Sequence, residues 1–153
     1  MNKALIVYGT RYGATSTTSE DIAVVLRQKG FDVKVVNAKK DKVKDITEYE
    51  LVIVGSGIQI HRWTKEPEKL LKKFEKELAK KKAALFECCG STEPLDGKTD
   101  KSKSIENARI KYLEEKLPSI TFNQSLWDCL EAFTITTGCL GYLENLWMRL
   151  SRN

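Results

Sequence analysis

Between an apolar run ending at Tyr8 and a segment of helical periodicity lies Gly9-Thr10-Arg11-Tyr12-Gly13-Ala14-Thr15-Ser16. These residue types suit the holding of an anion. The hydroxyls of Thr10, Thr15 and Ser16 can donate to phosphate oxygens, Arg11 adds positive charge, and Gly13 lets the backbone turn close to a ligand. A helix that begins after such a loop presents free N–H groups and the positive end of its dipole, so a phosphate there needs no metal. Ser and Thr are also the preferred helix caps, so an ordinary capping loop has the same composition. The loop carries neither GK[ST], as in a triphosphate loop, nor GxGxxG, as in a dinucleotide site. A hydroxyl-rich loop suits a terminal monophosphate better than a bridging pyrophosphate.

A second group of candidate residues follows another apolar run: Val54-Gly55-Ser56-Gly57-Ile58-Gln59-Ile60-His61-Arg62-Trp63. His61 is the single histidine of the chain and so the natural candidate for a proton donor, although a lone loop histidine is more often a plain exposed residue. Trp63 reads either as an aromatic wall for a ligand or as a partly buried anchor. Cys88-Cys89 invites a redox reading, but adjacent strand residues point to opposite faces, which favours core packing. The four cysteines have no CxxC or metal-finger spacing and are expected to be reduced.

The elements that must position these loops follow from hydrophobic period. Ala4 to Tyr8 is a continuous apolar run, expected as a strand buried on both faces. Ser16 to Lys29 carries Ile22, Ala23, Val25 and Leu26 on one helical face and stops at Gly30. Phe31 to Val36 and Tyr49 to Val54 are expected as the second and third strands. Glu66 to Lys80 is expected as a helix through Leu70, Leu71, Phe74 and Leu78, and Ala83 to Cys89 as the fourth strand. Gly90 to Lys103 reads as a loop, Ser104 to Leu117 as a helix ended by Pro118, and Ala132 to Thr137 as the fifth strand. Such alternation implies right-handed crossovers, a parallel sheet in the order 2-1-3-4-5, and a site at the carboxyl ends of the strands, where the loops after Tyr8, Val54 and Cys89 meet.

The bulk numbers agree with one domain over residues 1–153. The chain is 41% hydrophobic and 31% charged, as an ordinary globular domain is. No apolar run approaches the roughly 20 residues of a membrane span. Met1-Asn2-Lys3 leads straight into a strand without a signal-peptide apolar region, so the expected address is cytoplasmic. The net charge of +5 suits a solvated surface, an acidic partner or an anionic membrane face; no nucleic-acid module is present to support that partner. Leu140, Leu143, Leu146, Trp147 and Leu150 form an apolar stripe near Arg149 and Arg152, which either packs on the sheet or rests peripherally on a membrane.

Thr10-Arg11-Tyr12-Gly13-Ala14-Thr15 resembles the flavodoxin phosphate signature [ST]-x-x-G-x-T. Val54 to Trp63 resembles the flavin loop of flavodoxin-like menaquinone-dependent protoporphyrinogen oxidases, a branch that also favours Thr-Arg in the first loop. The resemblance covers nearly the whole chain. It implies an α/β flavodoxin-like doubly wound five-stranded parallel sheet with helices on both faces, and FMN as cofactor. Thr10, Arg11, Tyr12, Gly13, Ala14 and Thr15 then hold the phosphate. Ser56, Gly57, Ile58 and Gln59 line the ring largely through backbone groups, Trp63 is an aromatic wall, and Cys89, Gly90 and Ser91 face the other side. No metal and no particular catalytic residue is implied.

The activity so implied is an FMN-dependent oxidoreductase of haem biosynthesis, taking electrons from a porphyrinogen and passing them to a quinone. The alternative is a one-electron carrier of the flavodoxin type, though such carriers are usually acidic. A domain that has lost FMN is disfavoured by the presence of Gly13, Thr15 and Gly57. The family's chains continue beyond the point corresponding to Asn153, so the last helix is expected to be short or missing. The stretch from Leu140 to Leu150, or a second copy in a homodimer, would then cover that sheet face.

Overall fold

The first strand has almost nothing polar to offer solvent, and it lies at the centre of the molecule. In the computed structural model, which describes residues 2–89, 100–114 and 130–135, β1 (Lys3–Gly9) is buried from Ala4 onward. It pairs in parallel with β2 (Asp32–Asn37) on one side and β3 (Leu51–Gly57) on the other. Next to β3 come β4 (Lys82–Cys88) and β5 (Leu130–Ile135), also parallel, so the order is β2-β1-β3-β4-β5. This is the doubly wound α/β flavodoxin-like sheet that the strand–helix alternation predicts.

Strand residues alternate between two cores. Ala4, Ile6, Leu51, Ile53, Ala84 and Phe86 meet Ile22, Ala23 and Leu26 of α1 (Ala14–Gln28). Leu5, Val7, Val52, Val54, Ala83 and Leu85 meet Leu70, Leu71, Phe74 and Leu78 on the opposite face. Those four come from α2 (Lys65–Lys73), α3 (Glu75–Leu78) and Phe74 between them. A fully buried Leu, Ile or Phe contributes roughly 1.5–3 kcal/mol, so the two faces together supply most of the favourable free energy. The third layer's remaining helix, α4 (Lys101–Arg109), runs into a π-helical turn at Ile110–Glu114, which places Leu113 in the second core.

Several boundaries depart from the sequence reading. The helix expected from Glu66 to Lys80 is interrupted at Phe74, which has φ −108° and ψ 20°. Its N–H still bonds to the Leu70 carbonyl and its own carbonyl accepts from Leu78, so the apolar positions stay on one face. The first helix begins two residues early, at Ala14, and the fourth three residues early, at Lys101. β3 runs on through Gly55, Ser56 and Gly57 because their pairing with Phe86, Glu87 and Cys88 continues the ladder. The fifth strand starts at Leu130 rather than Ala132. Cys129, Cys139 and the stripe from Leu140 to Leu150 lie outside the described residues, as does the expected short or missing last helix.

Gly55 shows why the strand end cannot carry a side chain. A Cβ there would collide with the ring of its ladder partner Phe86, which lies across the glycine and is itself 1% exposed. Gly55→Ala is therefore expected to lower the unfolding free energy by about 1–3 kcal/mol, as overpacking does. Urea denaturation of Gly55→Ala, Phe86→Leu and the double variant checks this. The double variant should lose less than the sum of the two single losses, because the smaller side chain makes room for the methyl.

Candidate functional site

The carboxyl ends of β1, β3 and β4 converge on a cleft lined by Thr10, Arg11, Tyr12, Ala14, Thr15, Gly57, Ile58, Gln59, Cys88 and Cys89. Its first wall is the turn from β1 into α1. Gly13 takes φ +99°, a left-handed conformation open to glycine, and its N–H donates to the Thr10 hydroxyl at 2.9 Å. The first bond of the helix runs from the Thr17 N–H to the Gly13 carbonyl. The N–H groups of Ala14, Thr15 and Ser16 therefore precede the helical ladder, and Gly13 offers no side chain to cap them. The first turn carries no acidic residue, so no built-in carboxylate competes for the positive end of the helix.

Beneath this turn the packing is polar. Thr15, Thr18 and Ser19 are buried, and Ser19 returns its hydroxyl proton to the Thr15 carbonyl at 2.7 Å. The Cys88 thiol lies 3.5 Å from the Thr18 hydroxyl and beside that of Thr15. Burial pushes the Cys88 pKa up, against the smaller opposing effect of those two hydroxyls. The thiol thus stays protonated at neutral pH and is a packing group, not a nucleophile.

The second wall is a tight hairpin. Gln59 and Arg62 exchange backbone hydrogen bonds of 3.1 and 3.0 Å across Ile60 and His61, both of which have positive φ. Tyr112, in the π-helical turn, supports this hairpin from the side. Its hydroxyl lies 2.6 Å from His61 Nδ1, its carbonyl accepts the Trp63 indole N–H at 2.9 Å, and its ring stacks with His61 at 6.0 Å. Ile58 packs with Cys89, Ala108 and Tyr112, so the hairpin, the end of β4 and α4 share one small apolar cluster. Across the mouth, Gln59 Nε2 donates to the Tyr12 hydroxyl at 2.6 Å and ties the two walls together.

Most of the residues singled out from sequence therefore meet at one place. Thr10, Arg11, Tyr12, Ala14 and Thr15 face Gly57, Ile58, Gln59 and Cys89 across the cleft, with Gly13 shaping the turn between them. Two do not line it. Trp63, read as an aromatic wall, is instead 3% exposed within the core, because its indole N–H is satisfied by Tyr112 and its ring packs under the sheet end. Ser56 is fully buried, and its Oγ accepts from the Thr64 N–H at 2.9 Å while bonding the Thr64 hydroxyl and the Gly57 carbonyl. It fastens the hairpin's exit to β3. His61 is turned to Tyr112, not to the cleft. Gly90 and Ser91 lie outside the described residues. Sequence reasoning missed Cys88 as a lining residue and Tyr112 as a prop; Tyr112 was legible only as an apolar position of a helix.

The donor set fits a flavin monophosphate. Free N–H groups at a helix start, the hydroxyls of Thr10 and Thr15 and the Arg11 guanidinium all favour a dianion, and among the described residues the lining holds no carboxylate. Ile58 and Cys89 provide an apolar surface that would suit an aromatic ring. Among the described residues no group of His, Cys, Asp and Glu could hold a metal ion, and no helix is long and apolar enough to cross a membrane.

Comparison with known proteins points the same way. The family model described as a flavodoxin domain matches residues 5–142. A flavodoxin of Maridesulfovibrio salexigens is 28% identical in an alignment 122 residues long that covers 69% of this chain and 81% of that protein. The structure of oxidised Flavodoxin 2 from Bacillus cereus superposes with a TM-score of 0.61 at 18% identity, covering 98% of each chain. Rubredoxin oxygen:oxidoreductase from Desulfovibrio gigas superposes at 0.67 and 18% identity over 99% of this chain and 36% of its own. At those identities the two structures establish a shared fold, whereas the family match spans most of the sequence. The chain belongs to the flavodoxin domain family.

Proposed function

We propose that this chain is a redox protein that moves electrons through FMN held in the cleft between the first turn of α1 and the Gln59–Arg62 hairpin. FMN is the cofactor of the flavodoxins, and it supplies the uptake and release of electrons. The protein's part is to bind and orient it. Carrying this reading is one observation: an uncapped helix start flanked by Thr10, Arg11 and Thr15 faces an apolar wall of Ile58 and Cys89. One end of the cleft suits a phosphate and the other an aromatic ring. Gly57, whose Cβ would come within 3.0 Å of the Thr15 hydroxyl, keeps the two walls close.

A carrier without substrate turnover is the reading that the flavodoxin relatives support. The second reading, oxidation of protoporphyrinogen with a quinone as acceptor, is favoured by Thr10-Arg11 and by the run from Gly55 to Trp63. Under either reading, among the described residues no side chain of the cleft is placed to take a proton from a substrate: His61 is engaged by Tyr112, and the Cys88 thiol is buried. Proton movement is then left to solvent and the flavin, and the protein contributes orientation and the electrostatics around the ring.

Added FMN is expected to lose fluorescence on binding. Thr10→Val combined with Thr15→Val should raise the Kd for FMN by at least about tenfold, the loss of hydrogen bonds to a charged group, and leave that for riboflavin nearly unchanged. Equal weakening of both would place the phosphate elsewhere. Anaerobic mixing of the FMN-loaded protein with protoporphyrinogen separates the two readings. Flavin bleaching with turnover on addition of a quinone supports the enzyme; an unbleached flavin supports the carrier.

A further inference from the structure

Behind the apolar wall of the cleft stands a buried phenol. Tyr112 is 3% exposed and packs with Ile58 and Cys89, which line the cleft, so one layer of side chains separates its ring from that space. Its hydroxyl lies 2.6 Å from Nδ1 of His61, a short hydrogen bond. With Nε2 protonated, Nδ1 accepts the phenolic hydrogen. The two rings stack with centroids 6.0 Å apart and planes 12° from parallel, and His61 is otherwise exposed to water. Holding this pair together strains the backbone. His61 has φ +56° and follows Ile60 at +50°, an unfavourable region for a β-branched residue. From the other side the Trp63 indole N–H fixes Tyr112 through its carbonyl at 2.9 Å.

A buried phenol bonded to an imidazole can do what neither group does alone. Loss of an electron makes a phenol strongly acidic, so the electron leaves readily only where the proton has an acceptor. Bulk water is a poor acceptor for a side chain this deeply buried, whereas Nδ1 is already in contact. Lys111 tightens the coupling. Its ammonium lies 5.5 Å from the centre of the Tyr112 ring, so a positive charge left on that ring would be repelled. We propose that Tyr112 and His61 form a proton-coupled electron-donor pair, through which an oxidising equivalent formed in the cleft passes to the protein surface. The oxidant is light-excited oxidised flavin, and to that extent the pair rests on the reading of the cleft as an FMN site. Tyr112 gives it one electron, the phenolic O–H bond breaks, and an N–H bond forms at Nδ1, leaving an imidazolium in contact with water. A small reductant in solution, such as ascorbate, returns the electron, and Nδ1 returns the proton. Oxidation then falls on a side chain that can be restored, not on the Cys88 and Cys89 thiols that line the cleft.

Laser flashes on the FMN-loaded chain are expected to produce a tyrosyl radical, followed by transient absorption and by EPR after freezing. The part of the signal lost in Tyr112→Phe belongs to Tyr112, and it should form more slowly in heavy water than in ordinary water. His61→Asn supplies a residue that tolerates the left-handed turn but removes the base. It should slow radical formation on the order of a hundredfold, the loss expected of a positioned base, and added imidazole should restore the rate. A purely structural prop behaves otherwise: both variants would shift the melting temperature and the Kd for FMN, while the yield and rate of the radical per bound flavin stayed the same. A signal indifferent to Tyr112→Phe, or a rate indifferent to His61→Asn, overturns the proposal. If the chain takes up no FMN, the flavin reading fails and the pair is tested by itself, with the flavin-free chain oxidised by flash-generated tris(bipyridine)ruthenium(III). A tyrosyl signal diminished in Tyr112→Phe and slowed in His61→Asn upholds the pair; the absence of either effect refutes it.

Discussion

The parallel pairing of β1 with β3, and of β3 with β4, is the constraint on which the remaining structure depends. In register, Gly9 lies beside Ser56 and Gly57 beside Cys88, so all three strands stop at nearly the same level. A parallel sheet buried on both faces has no freedom to slip, because moving one residue would turn every core side chain over. The ends of the strands are thus fixed in space, and so are the first residues of the turns that leave them. The Phe86 ring over Gly55 is one place where that register is enforced by volume.

Two different physical devices build the walls of the cleft on these ends. On the α1 side the means is electrostatic: a helix is begun on Gly13 beside the cleft, without a capping side chain or an acid in its first turn. On the hairpin side the means is mechanical. Ser56 and Thr64 tie the hairpin at its base, and Tyr112 holds it through His61 and Trp63. The π-helical turn matters here, since it is where the Tyr112 ring and carbonyl both reach the hairpin. Turns of this kind are frequent at functional sites, where one extra residue re-aims a side chain.

The polar burial under α1 belongs to the same design. Thr15, Thr18, Ser19 and Cys88 form a hydroxyl- and thiol-bearing layer between the cleft and the apolar core. These groups bond one another, so the layer avoids the cost of unsatisfied polar atoms. An all-apolar layer would pack as well but would present no donors at the floor of the cleft.

The sequence by itself determined the elements, the sheet and the hydroxyl-bearing turn after the first strand. Period-2 and period-3.6 patterns are local, and a run such as Ala4 to Tyr8 has few other ways to bury its side chains. The spacing of Thr10, Gly13 and Thr15 likewise acts within one turn of chain, so it was readable without knowing the fold. Tertiary structure alone decided which side of each residue meets the cleft. Trp63 and Cys88 are both apolar residues near strand ends, yet one is drawn inward by a carbonyl 49 residues away and the other reaches the floor. His61 looked like a proton donor until Tyr112, 51 residues on, took its nitrogen. Those outcomes depend on contacts between distant segments, whose geometry no local pattern encodes. The loop from Thr10 to Thr15 was legible because its chemistry is made by neighbours in sequence; its opposite wall was not, because its shape is set by neighbours in space.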